Sequence, residues 1–141
     1  MKVNIVFPVL DEERRLEKGI RTTEAFLAKR RDIDAVITIV DNGSTDRTPD
    51  IIKELADVYS NIEYITLGER GFGLAFREAV KRNRCDIIGY VDVDLSTDIH
   101  YLSKVMKAFE KYDDISVIKG NRLSGKSKVN GRKPLRNITS I

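Results

Sequence analysis

The sequence has a single cysteine, Cys85, and a single histidine, His100, among its 141 residues. One cysteine cannot form an internal disulfide, which is typical of a protein of the reducing cytoplasm, and we interpret Cys85 as an ordinary small apolar residue. No cluster of cysteine and histidine is available to bind zinc, and we interpret His100 as a surface residue of a helix. No apolar run approaches the roughly 18–20 residues of a membrane-spanning helix. The start, MKVNIVFPV, is typical of a first strand rather than of a secretion signal.

Acidic residues are missing from the end of the chain. From Gly120 onward there are six basic residues and no acidic one, which leaves 19 basic and 22 acidic residues in the part before it. Such a tail indicates either an anionic partner, such as a phosphate group or a membrane surface, or a flexible end that water solvates. The tail has no aromatic residue and does not resemble a nucleic-acid-binding module, so no nucleic-acid partner is expected.

The rest of the chain alternates between short apolar runs and amphipathic segments, as expected of an α/β protein. Continuous rather than alternating apolar strands predict a doubly wound, mostly parallel sheet with helices on both faces. Asp11 and Thr48 are predicted to cap the first two helices, with Pro49 in the first turn of the second. The predicted strands cover residues 3–9, 35–41, 62–67, 85–93 and 115–121, and the predicted helices cover 12–30, the segment from Thr48, 73–83 and the segment around 102–109.

Carboxylates follow three of the predicted strands. The segment LDEE follows the first, Asp41 ends the second, and Asp92 and Asp94 end the fourth. The carboxyl ends of parallel strands form the ligand-binding edge of an open α/β sheet. In an extended strand Asp92 and Asp94 lie on the same side, and hard oxygen ligands of this kind suit Mg²⁺ or Mn²⁺ held together with substrate phosphates. We interpret Asp98 as a cap of the following helix.

Two further segments are compatible with a nucleotide. In VDNGSTDRT, Asp41 is placed to accept a hydrogen bond from a ribose or a base, although turn formation and helix capping explain part of this Ser/Thr pattern. In GERGFGLAFREAV, glycines and Arg70 precede a helix whose N-terminus could meet a phosphate. The second signal is weak by itself.

Five motifs, FPVLDEE, VDNGSTDRT, GFGLAFREA, YVDVDLS and KGNR, occur in the order and spacing of family 2 glycosyltransferases. The sequence therefore resembles this family, which has the GT-A fold, and within it the polyprenyl-phosphate hexose synthase branch (dolichyl-phosphate mannose or glucose synthase). The resemblance implies a nucleotide-sugar pocket, a metal site, and a set of groups that meet phosphate. The implied residues are Pro8, Leu10, Glu13, Asp41, Asn42 and Asp92 for the nucleotide sugar, Asp92, Asp94 and Ser96 for the metal, Arg122, Arg136 and Thr139 for the acceptor phosphate, and Asp94 and Arg122 for catalysis.

Two residues depart from the family pattern. Asn42 replaces the usual second aspartate of the turn, which removes a charge but keeps an acceptor. Ser96 stands where the polyprenyl branch more often has glutamine, so its shorter side chain would need a bridging water to reach the metal.

The activity that the resemblance implies is an inverting transfer of a hexose from a UDP- or GDP-hexose to a polyprenyl (dolichyl) phosphate, with Mg²⁺ or Mn²⁺ as cofactor. A lipid monophosphate is largely anionic at pH 7 because its second pKa is near 6, so it needs no general base; a sugar hydroxyl acceptor would need one. No Asp, Glu or His follows Arg122. The expected location is the cytoplasm, with peripheral contact to the cytoplasmic face of a membrane through the basic tail.

Residues 1–122 are expected to form the nucleotide-sugar-binding core, and residues 123–141 a partly flexible tail or the start of an acceptor-side region. A receiver domain is excluded because YITLGER lacks the phospho-acceptor aspartate, and a sugar nucleotidyltransferase because LDEERR follows the first strand in place of a glycine-rich loop. The alternative that stays open is a truncated or non-catalytic nucleotide-binding module, since relatives of this family are longer than this chain.

Overall fold

The computed structural model describes residues 1–121, apart from the side chain of Phe72. Helices and strands alternate strictly along this part of the chain, as the sequence predicts. The elements are β1 (Lys2–Val9), α1 (Leu16–Ala28), β2 (Asp34–Asp41), α2 (Thr48–Val58), β3 (Ile62–Thr66), α3 (Phe72–Arg82), β4 (Ile87–Tyr90) and α4 (Tyr101–Lys111).

The strands form one parallel sheet with the order β3-β2-β1-β4. Strand β1 pairs with β2 along its whole length, so that Val9 lies opposite Asp41, and with β4, so that Val6 lies opposite Tyr90. The chain therefore adds strands on one side of β1 and then crosses to the other side. The carboxyl end of β1 is the switch point where open sheets of this kind bind ligands.

Each face of the sheet is covered by helices, because the strands are apolar on both sides. One face packs against α1, α2 and α4 through a core that includes Phe7, Leu16, Ile20, Ile52 and Met106. The other face packs against α3 through a smaller core of Val6, Val40, Ile65, Ala75 and Ala79. Within residues 1–121, no helix combines the length and the apolar character needed to cross a membrane.

The predicted fifth strand is wrong. Residues 115–121 have no helix or strand, and the Val117 side chain is 82% exposed. A strand is stable only when a neighbouring strand takes its backbone hydrogen bonds, and none of the strands within residues 1–121 pairs with this segment. The run Ile115–Ile118 has the composition of a strand, but composition does not supply a partner.

The chain divides into two compact units, Met1–Met106 and a second unit that begins at Lys107. The described part of the second unit contains the end of α4, where the Tyr112 N–H bonds the Ala108 carbonyl, and then irregular chain. The predicted domain boundary at residue 122 lies at the limit of the described residues and stays a prediction.

Candidate functional site

The ends of β1 and β2 are joined at the predicted nucleotide edge. The Asn42 N–H donates to the Val9 carbonyl at 2.9 Å, which extends the ladder by one residue beyond the paired strands. Asp41 is 2% exposed, and its Oδ1 accepts the Ser44 N–H at 3.0 Å. This tight turn requires a left-handed residue, which Gly43 supplies with a φ of 81°. Of the remaining predicted residues here, Pro8 lies opposite Val40 in the register, and Leu10 follows β1.

Asn42 carries an acceptor that lacks a hydrogen bond. The residue is 5% exposed, and its Oδ1 is buried without a partner among the described residues. An unsatisfied buried polar atom typically costs about 1–3 kcal/mol, so such atoms are uncommon and mark places where a ligand or water completes the bonding. Asn42 follows Asp41 at the carboxyl end of β2, where the sequence predicts the nucleotide.

The loop after β1 and the loop after β2 are held together by side-chain-to-backbone hydrogen bonds, which we call the interloop network. The Thr45 N–H donates to Asp11 Oδ1 at 2.7 Å, and the Glu12 N–H donates to Thr48 Oγ1 at 2.8 Å. Asp11 adopts a φ of 52°, a conformation that Asp tolerates better than most residues. The predicted capping roles are therefore wrong: α1 begins at Leu16 and α2 at Thr48 itself, and the residue before each helix makes no side-chain cap bond. The two side chains instead join the loops.

Glu13 and Asp46 complete the interloop network in a reciprocal pair of contacts. The Glu13 N–H donates to Asp46 Oδ2 at 3.1 Å, and the Arg47 N–H donates to Glu13 Oε2 at 3.2 Å. Burial disfavours the charged form of Asp46, but hydrogen bonds from the Thr48 hydroxyl and from the Thr48 and Glu13 backbone outweigh it and hold its pKa below the ordinary value. Glu13, predicted to line the nucleotide pocket, is thus engaged with the backbone of the neighbouring loop. The sequence signals Asp46 only as one turn residue in STDRT.

Asp92 and Asp94 lie in a tight turn beyond β4, on the other side of β1, and not in the extended strand that the sequence predicts. The Val91 N–H donates to the Val6 carbonyl at 2.9 Å and fixes the start of the turn to β1. The Leu95 N–H then donates to the Asp92 carbonyl at 3.0 Å, and the Ser96 N–H donates to Asp94 Oδ1 at 2.9 Å. Leu95 adopts a φ of 52°, which is unusual for a leucine. Strained backbone of this kind often occurs at ligand-binding sites.

The predicted metal ligands Asp92, Asp94 and Ser96 fit a hard divalent cation in their chemistry. All three side chains offer oxygen, the donor that Mg²⁺ and Mn²⁺ prefer. Asp92 is partly exposed, and Asp94 and Ser96 are exposed. Residues 1–121 contain no group of three or more His, Cys, Asp or Glu side chains arranged to hold an ion. A cation bound to Asp92 and Asp94 would therefore take its remaining ligands from substrate phosphates and water, as Mg²⁺ commonly does in proteins.

The remaining predicted residues separate into ones that the structure describes and ones that it does not. Asp98 accepts the His100 N–H at 3.0 Å just before α4, as expected of a helix-start residue. His100 has a side chain that is 75% exposed, which agrees with its surface placement, but it lies in the turn before α4 rather than in a helix, and its ring meets Phe26 edge-on. Desolvation raises the pKa of the Cys85 thiol, which is consistent with an unreactive cysteine. The acceptor-side residues Arg122, Arg136 and Thr139 lie outside the described residues.

Comparison with known proteins identifies the family of this chain. The family model described as "Glycosyl transferase family 2" matches residues 4–140. The chain belongs to glycosyl transferase family 2. A curated dolichyl-phosphate beta-glucosyltransferase of Trichomonas vaginalis is 31% identical in an alignment of 134 residues that covers 89% of this chain and 41% of that protein. A second protein of that name from the same organism is 29% identical in an alignment of 147 positions, gaps included, that covers 99% of this chain and 45% of that protein.

The resemblance to the polyprenyl-phosphate branch is confirmed, since the curated relatives also include an undecaprenyl-phosphate 4-deoxy-4-formamido-L-arabinose transferase of Pseudomonas fluorescens. It is 29% identical in an alignment of 123 residues that covers 85% of this chain and 36% of that protein. The family 2 chain spans less than half the length of each of these curated relatives.

Solved structures confirm the GT-A fold of this family 2 chain. A mannosyltransferase from Pyrobaculum calidifontis in complex with GDP-Man and Mn²⁺ superposes with a TM-score of 0.65 at 23% identity, covering 75% of this chain and 31% of that one. S. aureus TarS in complex with UDP-GlcNAc superposes with a TM-score of 0.63 at 19% identity, covering 80% of this chain and 32% of that one. At these identities the likeness establishes the fold.

Proposed function

We propose that this chain is an inverting glycosyltransferase that moves a hexose from a nucleotide-diphosphate sugar to a polyprenyl (dolichyl) phosphate. The observation that carries the proposal is the placement of two sets of residues on either side of the β1 carboxyl end. Asp41 and Asn42 lie on the β2 side, and Asp92 and Asp94 lie on the β4 side. A nucleotide on the first set would extend its diphosphate toward the second.

The nucleoside would bind at the ends of β1 and β2. The unpaired Asn42 Oδ1 would accept a hydrogen bond from a base or ribose donor, which would satisfy a buried acceptor that lacks a partner. Asp41 already accepts from Ser44 with one oxygen, and its second oxygen would serve the same ligand. Pro8, Leu10 and the backbone of Glu13 would form the wall on the β1 side. The interloop network would hold this wall and the Asp41 turn as one unit.

Asp92, Asp94 and Ser96 would hold Mg²⁺ or Mn²⁺ together with the diphosphate. The ion would act as a Lewis acid that neutralises charge on the leaving nucleotide diphosphate. The side chains of this turn would bind and orient it, and the bond between Asp94 and the Ser96 N–H would hold the carboxylate in place before the donor arrives. The pyrophosphate-bearing sugar would then lie at the open edge beside β4.

The acceptor would be a lipid monophosphate whose oxygen attacks the sugar carbon from the face opposite the leaving group. Because that phosphate is largely ionised at pH 7, no side chain has to remove a proton from it. We place Arg122, Arg136 and Thr139 at the acceptor phosphate on the strength of the family resemblance. A lipid acceptor also requires peripheral contact with a membrane surface, for which the basic tail supplies the charge, and we propose the cytoplasmic face.

A second candidate is a nucleotide-binding module that does not turn over by itself. The observation that favours it is length, since the chain covers 45% and 41% of the two dolichyl-phosphate beta-glucosyltransferases that it matches. Both candidates predict the same donor site. They differ in whether this chain forms product when it is given donor and acceptor.

The first experiment is calorimetric titration of UDP and GDP into the protein, with and without MnCl₂. Binding of one nucleotide that strengthens at least tenfold with Mn²⁺ would support the donor site and identify the base. No binding of either nucleotide would contradict the proposal for this chain. The second experiment incubates the chain with the matching nucleotide hexose and dolichyl phosphate and measures glycolipid by chromatography. Donor binding without product would favour the second candidate.

A further inference from the structure

Helix α1 meets the turn that carries Asp92 and Asp94 at a glycine. Gly19 lies on the buried face of α1, together with Leu16, Ile20, Thr23 and Phe26. The neighbour at this point is Val93, which is 4% exposed and lies between the two aspartates. The space that a Gly19 side chain would fill is occupied by the Val93 carbonyl oxygen, so the backbone of the turn packs directly on the backbone of the helix.

The contact leaves no room for any other residue at position 19. A Cβ on Gly19 would lie 2.2 Å from the Val93 carbonyl oxygen and 3.0 Å from Val93 Cγ2, whereas real Cβ contacts essentially never fall below 3.0 Å. The Val93 carbonyl oxygen would have to move by about 0.8 Å, the difference between its distance of 2.2 Å and the shortest usual contact of 3.0 Å. The obstructing atom is backbone, so no rotation of a side chain can relieve the overlap.

Neither partner in this contact can move freely. The turn is tied to β1 by the bond from the Val91 N–H to the Val6 carbonyl and closed by the bond from the Leu95 N–H to the Asp92 carbonyl. On the helix side, the Gly19 carbonyl accepts the hydroxyl of the fully buried Thr23. A displacement at Val93 would therefore pass to the carboxylates on either side of it.

We propose that Gly19 is a positioning residue for the metal-binding turn: its missing side chain lets Val93 rest on α1 and thereby sets where Asp92 and Asp94 stand. The proposal rests on the proposed function of these two carboxylates. Ligand positions in metal sites are held to within a few tenths of an ångström, so a shift of this size at the residue between two ligands weakens binding. The sequence gives no hint of it, because a glycine inside a helical pattern predicts only a weaker helix.

The test compares Gly19→Ala with the wild-type protein in two measurements. In the first, without any ligand, hydrogen exchange is followed at the amides of Leu95 and Ser96, which close the turn. In the second, Mn²⁺ binding is measured by the loss of the electron paramagnetic resonance signal of free Mn²⁺. This titration contains UDP or GDP, according to which nucleotide the wild type binds. We expect hydrogen exchange at these amides to be at least tenfold faster than in the wild type. We expect the affinity for Mn²⁺ to be at least about tenfold lower.

Matched variants separate position from helix propensity. Lys18→Ala and Lys18→Gly, at the exposed neighbouring residue of α1, measure the effect of an alanine–glycine difference on the helix alone and should leave Leu95 and Ser96 exchange unchanged. The double variant Gly19→Ala/Val93→Ala should stay defective, because the overlap is with the carbonyl. Recovery of exchange and affinity in the double variant would overturn the proposal, since it would assign the effect to the Val93 side chain.

The outcomes also distinguish this proposal from the function on which it rests. If the wild type binds neither nucleotide with Mn²⁺, the proposed function fails, while the exchange comparison still decides whether Gly19 positions the turn. Wild-type exchange at Leu95 and Ser96 in a folded Gly19→Ala protein would overturn the proposal whatever the binding data show. If Gly19→Ala does not fold, the wild-type Gly19 Hα resonances decide: they should shift when Mg²⁺ and nucleotide are added, and unchanged resonances on binding would refute the coupling.

Discussion

Replacement of Asp94 tests the metal assignment most directly, because two substitutions separate its charge from its structural bond. Asp94 is exposed, and its Oδ1 accepts the Ser96 N–H at 2.9 Å. A hydrogen bond of this kind contributes about 0.5–1.5 kcal/mol net, and its loss in Asp94→Ala is partly offset because repulsion from Asp92 also disappears. We expect the free energy of unfolding to fall by about 1 kcal/mol or less, so the variant stays folded.

Asp94→Asn keeps the oxygen that accepts from Ser96 but removes the charge. Its stability should equal that of the wild type within about 0.5 kcal/mol. Loss of a residue that only supports a metal ligand typically lowers the metal affinity about 10–100-fold. Loss of a ligand itself should therefore lower the Mn²⁺ affinity at least about 100-fold in both variants. In the assay, the nucleotide that the wild type binds is titrated into each variant in a calorimeter, with and without MnCl₂. Urea unfolding of each variant measures its stability.

The result that would refute the assignment is an unchanged Mn²⁺ dependence of nucleotide binding in Asp94→Asn. A large loss in Asp94→Ala with wild-type behaviour in Asp94→Asn would also contradict it, because the turn geometry rather than the charge would then be responsible.

Two further predictions concern the interloop network. Thr48→Val keeps the shape of a fully buried side chain but removes the acceptor of the Glu12 N–H and the hydroxyl that bonds Asp46. We therefore expect the free energy of unfolding in urea to fall by about 1–2 kcal/mol and nucleotide binding to weaken; equal stability of the two proteins would show that these bonds contribute nothing. The pKa of Asp46 is lowered in the folded state, so its carboxylate stabilises the fold above the ordinary value of 3.8, and the contribution is lost as the pH falls below it. The stability difference between wild type and Asp46→Asn should therefore shrink between pH 6 and pH 3, and a difference independent of pH would contradict the role of the charge.

The sheet and its helices could be predicted because their signals are local. Continuous apolar runs such as that in β2 indicate buried strands. Pro49 and a regular apolar face indicate helix α2. The predicted bounds differ from the observed ones by a few residues: β4 covers Ile87–Tyr90 rather than 85–93, because pairing with β1 ends there and the turn with Asp92 begins.

The errors arose where the same residue type can bond in more than one way. Asp11 and Thr48 have the side chains of helix caps, and in the structure both bond to a loop that is more than 30 residues away in sequence. The segment 115–121 has the composition of a strand, but strand formation depends on a neighbouring edge. Neither choice can be made from the residues within one helical turn.

The sequence by itself determined the α/β class, the family, and the placement of Asp41, Asp92 and Asp94 at strand ends, because hydrophobic periodicity and motif spacing are properties of neighbouring residues. Only the tertiary structure decided that β4 returns to the far side of β1, that Asp11, Glu13, Asp46 and Thr48 join two loops, and that Gly19 receives the backbone of Val93. These contacts link segments tens of residues apart. Their geometry depends on how whole helices and strands pack, which no short stretch of sequence encodes.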